Sequence, residues 1–146
     1  MLVDNLNAKQ SIAQALHSEV RDQRFSGPDD AAREFGIHPL GDRWRKVDRA
    51  TASSVLFSLL VEDMAYSSPR LPKEQATAAA EEFLEKFGVD ASFFTNGNWE
   101  EGWRRAKDGR SGVGPSWEPA TSATFDGGVI ALDQNRSGIL WLEDED

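Results

Sequence analysis

Residues 121–146 read TSATFDGGVIALDQNRSGILWLEDED, and this stretch decides the fold. Two apolar runs, Val129-Ile130-Ala131-Leu132 and Ile139-Leu140-Trp141-Leu142, flank a polar turn at 133–138. Runs rich in β-branched and aromatic residues, bounded by Gly, Asn, Asp and Ser, predict a β-hairpin. Neither run alternates strictly, so both faces of the hairpin are expected to be covered. Gly127-Gly128 suggests a bulge or tight bend, because glycine accepts positive φ without steric cost. The second run leads straight into four acids, Glu143-Asp144-Glu145-Asp146.

Upstream, the apolar spacing turns helical. Ile12, Leu16 and Val20 share one face of a predicted helix over 8–23, which Ser26-Gly27-Pro28 stops. Asp29-Asp30 offers an N-cap for a short helix over 31–35, with Gly36 as its closing glycine. Residues 43–47 fit either the start of the next helix or a short edge strand. Ala52, Val55, Leu56, Leu59, Leu60 and Met64 form a broad stripe, predicting a mostly buried helix over 50–66 capped by Asp48 or Thr51. Pro72 suits a first helical turn, and Ala76, Ala80, Phe83, Leu84 and Phe87 line one face of a helix over 72–87. These two helices make an αα-hairpin. Phe93-Phe94-Thr95 reads as a short strand before the turn Asn96-Gly97-Asn98. The expectation is one α+β domain over 1–146. Its N-terminal helices, including the αα-hairpin, pack on a mainly antiparallel C-terminal sheet.

Composition narrows the function. Hydrophobic residues make 39% and charged residues 28%, a globular balance. No apolar run approaches the ~20 residues that span a bilayer, and no basic n-region precedes an apolar stretch at the N-terminus. Zero cysteines exclude disulfides, thiol catalysis and cysteine-ligated zinc. A cytoplasmic protein is expected. The net charge is −9, and residues 1–50 hold eight acids and eight bases, so the whole surplus lies beyond residue 50. An acidic surface repels nucleic acid and anionic lipid and attracts cationic partners.

Motifs for catalysis are missing. The loop Gly109-Arg110-Ser111-Gly112-Val113-Gly114-Pro115 matches neither the P-loop nor the dinucleotide-binding glycine pattern. With Arg104, Arg105 and Lys107 beside it, it offers an anion site as an alternative to a solvated loop. His17 and His38 are read as structural or surface residues, too few for a His-rich metal site. No GxSxG elbow marks a serine nucleophile. Asp126, Asp133, Glu143 and Asp144 sit near strand ends without EF-hand spacing, and Asp133 suits a turn. No cofactor and no metal site are expected. The terminal acids continue a predicted strand without a polar linker. They form either an acidic edge fixed by the sheet or a frayed, solvated terminus.

The residues Glu62-Asp63-Met64-Ala65-Tyr66, Leu71-Pro72-Lys73, Phe94-Thr95-Asn96-Gly97, the run 119–129 and Ile139-Leu140-Trp141-Leu142-Glu143-Asp144-Glu145-Asp146 bear a resemblance to a known group. Over roughly residues 50 to 146 the chain resembles small immunity proteins that bacteria encode beside polymorphic or contact-dependent toxins. The basic loop after Trp103 lies outside that likeness. The resemblance implies a non-enzymatic inhibitor that binds a cognate toxin in the cytoplasm. Such an inhibitor occludes a basic active-site or substrate cleft. Candidate contacts are Glu62, Asp63, Asp126, Glu143, Asp144, Glu145 and Asp146. Trp103 and Trp141 are candidate aromatic anchors, with burial in the core as the competing reading of Trp141. Two other classes stay open: a small anion-binding enzyme using the loop from Arg104 to Gly114, and a structural or adaptor subunit.

Overall fold

The β-hairpin is the centre of a five-stranded antiparallel sheet. The strands are β1 (Leu16–Arg21), β2 (Arg45–Val47), β3 (Ser92–Thr95), β4 (Phe125–Leu132) and β5 (Ser137–Asp144), in the spatial order β1-β5-β4-β3-β2. Among the described residues three α-helices accompany them: α1 (Pro28–Phe35), α2 (Arg49–Val61) and α3 (Lys73–Leu84). The computed structural model describes residues 15–101 and 115–145. The α+β class and the packing of helices on a C-terminal sheet are as the sequence predicts.

β4 and β5 pair along their full lengths, from Phe125 opposite Asp144 to Leu132 opposite Ser137. Asp133 closes the turn, its carboxylate accepting from Asn135 N at 2.8 Å and Arg136 N at 2.7 Å. Both faces are covered, which explains the unbroken apolar runs. Val129, Ala131, Leu140 and Leu142 pack with α2 and α3. Ile130, Ile139 and Trp141 pack with Ala31, Ala32 and Phe35 of α1 and with Ile37, Leu40 and Ala120. Trp44 meets Trp141 edge to face at 6.2 Å between ring centres. Its indole N–H donates to Asp29 at 2.7 Å.

Several local expectations are corrected. Residues 16–21, expected as part of a helix over 8–23, form β1 along the open edge of β5. The physical reason is the spacing. Leu16 and Val20 are four apart, which puts them on one side of a helix and equally on one side of a strand. Both pack against the α2 and α3 core. The undecided segment 43–47 contains the edge strand β2, paired with β3. The short helix begins at Pro28, with Gly27 as its N-cap. Asp29 instead turns back to accept from Leu40 N, Gly41 N and Trp44, and Trp44 above all holds its carboxyl below the usual range. Gly36 closes α1 at φ 84°, the left-handed conformation expected there.

α2 starts on the Asp48 carboxylate, which accepts from Thr51 N at 2.8 Å. It ends at Val61, not at residue 66. Beyond it the backbone turns extended at Glu62, and Glu62 bridges to Pro69. Gly127 and Gly128 form no bulge. Their ladder with Leu142 and Trp141 is continuous. Glycine is required there by close approach: a Cβ on Gly127 would lie 2.3 Å from the Trp99 indole nitrogen, and one on Gly128 would lie 2.1 Å from the Leu140 carbonyl oxygen.

Candidate functional site

The acidic end of β5 is where the predicted contacts gather, and it has two sides. Alternation along the strand sends Asp144 toward α2 and Glu143 toward the α1 side. On the α2 side, Asp144 receives both guanidinium nitrogens of Arg70, at 3.0 and 2.8 Å, and the Met64 N–H at 2.9 Å. Arg70 is itself buried and also donates to the Leu59 carbonyl at 3.1 Å. The residues after α2 are therefore clamped against the end of the sheet. Asp63 lies in this clamped segment, its N–H on the Ser68 carbonyl and its carboxylate accepting from Tyr66 N at 2.7 Å. Glu145, past the end of β5, accepts from Thr124 N at 3.2 Å and from the Thr124 hydroxyl. Glu143 and Asp144 are held as strand residues, so this stretch is the fixed edge of the two readings.

On the α1 side the sheet carries a cleft of about 290 Å³. His17, His38, Thr121, Ser122, Trp141 and Glu143 line it. β1 brings His17 opposite Trp141, and the loop after α1 brings His38, tied by its N–H to the Ala120 carbonyl at 2.7 Å. The His17 ring also sits 3.5 Å from the Glu19 carboxylate, whose proton affinity is lowered chiefly by Arg21.

Behind the cleft wall lies Asp126, fully buried. Its carboxylate collects five neutral donors. They are the Ala120 and Thr121 amides at 3.1 Å, the Thr121 hydroxyl at 3.0 Å, Asn96 Nδ2 at 2.9 Å and Trp141 Nε1 at 3.2 Å. Burial pushes the carboxyl above its ordinary value, and the donors from Ala120, Thr121 and Trp141 pull the other way. Asp126 faces Glu143 directly across the β4–β5 ladder. Like charges opposite each other on one sheet face repel. Among the described residues no cation pairs with either carboxylate.

These positions revise the candidate contacts. Asp126 and Trp141 are buried, so neither reaches a partner's surface from this conformation. Asp126 is drawn inward by donors that converge from three separate segments, and Trp141 by the apolar layer beneath α1. Glu62 and Asp63 lie in the segment that Arg70 and Met64 tie to Asp144, Glu145 is held on Thr124, and Glu143 is on the opposite face of the strand from Asp144. Trp103, Asp146 and the loop running from Arg104 to Gly114 lie outside the described residues. Sequence reasoning missed Arg70, whose signal was a lone base between Pro69 and Leu71. It also missed that the chain's two histidines line one cleft, and no local pattern connects them.

Among the described residues no group of three His, Asp or Glu side chains is placed to hold a metal ion, and no helix is long and apolar enough to cross a membrane. No family model, curated protein or solved structure matches the chain.

Proposed function

We propose that this chain is an acidic cytoplasmic binding protein, an immunity protein that neutralises a cognate protein toxin by occluding its basic active-site or substrate cleft. The observation that carries this reading is the fixed end of β5. Glu143 is exposed on a paired strand, and its neighbour Asp144 is clamped by Arg70. Charges held in place before contact lose little entropy on binding, and they steer a cationic partner toward them. The net charge of −9 supplies the long-range part of that attraction. Inhibition by occlusion needs no nucleophile, base or metal from the inhibitor.

The test is protection in cells. The protein encoded beside this gene is expressed in a neutral host with and without this chain. Growth arrest by the neighbour alone, relieved on co-expression, is the expected result. A neighbour that is harmless, or equally harmful in both cases, removes the proposal.

A further inference from the structure

We infer that the cleft between His17 and His38 receives one arginine side chain from the cationic partner. The inference rests on the binding-protein reading above and gives it a specific anchor.

Asp126 and Glu143 stand opposite each other on one face of the β4–β5 ladder. Opposed carboxylates at a cross-strand position are normally destabilising. The first is buried among neutral donors only, and the second opens onto the cleft. Among the described residues no lysine or arginine lines that cleft. Two negative groups with no cation beside them among the described residues, one of them behind a low-dielectric wall, focus a negative potential into the cleft. A cation entering there relieves the repulsion.

Shape and hydrogen bonding favour guanidinium over ammonium. The cleft volume of about 290 Å³ has room for a long side chain. Glu143 offers a two-oxygen acceptor for a planar fork of N–H groups. The Ser122 and Thr121 oxygens add acceptors, and the flat His17 and His38 rings give the guanidinium plane surfaces to lie against. The site is prepared in the free protein, because the Trp141 and Thr121 side chains in its wall are fixed by bonds to Asp126.

The probe is Nα-acetyl-arginine N-methylamide, titrated at low salt while the His17 and His38 ring protons are followed by NMR. Its neutral isostere, the citrulline analogue, is the control. Saturable shifts at both rings, with a dissociation constant on the order of millimolar for so small a ligand, are expected. Glu143→Gln, at an exposed position, is expected to weaken binding about tenfold while leaving the ligand-free spectrum folded. The citrulline analogue is expected not to bind. Equal binding of the citrulline analogue, unchanged affinity in Glu143→Gln, or the absence of saturable shifts at His17 and His38 overturns the inference. Its failure is separable from failure of the proposed function. A neighbouring gene product that binds wild type and Glu143→Gln equally well keeps the function and removes the cleft. An arginine analogue that binds while no such partner does keeps the cleft and removes the function.

Discussion

Arg70 and Asp144 meet in a two-point ion pair at 3.0 and 2.8 Å, with the arginine side chain only 2% exposed. It joins the last strand to the segment that follows α2. A carboxylate in a sequence of four acids, expected to face outward, is in this way a structural group.

Removing one partner of a buried pair leaves the other charge without compensation. Arg70→Ala is therefore expected to lower unfolding stability by about 3 kcal/mol. Urea denaturation followed by tryptophan fluorescence measures it. A loss below about 1 kcal/mol, the range of surface ion pairs, would show that the pair is solvated in solution.

Asp126 is the second structural acid. In Asp126→Asn the new NH2 group faces amide and hydroxyl donors, and a loss of about 3 kcal/mol is expected. The pH dependence has a definite sign. Burial raises the carboxyl above 3.8 in the folded chain, so the folded chain holds this proton more tightly than the unfolded chain. The group's contribution is fullest below 3.8 and declines as pH rises through the folded value. The stability gap between wild type and the non-titrating Asp126→Asn is thus expected to widen as pH falls from 7 toward 4. A gap that narrows on acidification would mean that the five donors outweigh burial.

Gly127 lies against the Trp99 indole, whose N–H donates to the Asp126 carbonyl at 3.2 Å. Gly127→Ala places a methyl in that contact and is expected to cost about 2 kcal/mol. A lower melting temperature with altered near-ultraviolet dichroism from the displaced indole is the expected signature. An unchanged melting temperature would show that Trp99 moves aside freely.

The hairpin and the αα-hairpin were legible because each has one dominant signal. Val129 to Leu132 and Ile139 to Leu142 are short, bounded by turn residues and rich in β-branched or aromatic side chains, and the alanine-rich stripe of α3 suits no strand. The cap was half legible: the sequence offers Asp48 or Thr51, and the structure selects Asp48, whose carboxylate accepts from Thr51 N. β1 was not legible, because a spacing of four residues between Leu16 and Val20 satisfies both periods, and only pairing with β5 decides between them. The end of α2 was hidden for a similar reason. Glu62 to Tyr66 contains good helix formers, but Arg70 reaches back to Asp144 and the carbonyl of Leu59, and so fixes the turn. The site was the least legible part. Asp126 looked like a surface acid because its donors sit at positions 96, 120, 121 and 141, which only the fold brings together. His17 and His38 looked unrelated for the same reason.

A fixed acidic edge that captures a cationic protein makes a salt-sensitive complex. Calorimetric titration of this chain with the protein encoded beside it, at about 50 and about 300 mM salt, where the screening length falls from roughly 14 to roughly 6 Å, is the test. A saturable one-to-one complex whose affinity falls markedly as salt rises is expected. No complex at about micromolar concentration, or a complex indifferent to salt, would contradict it.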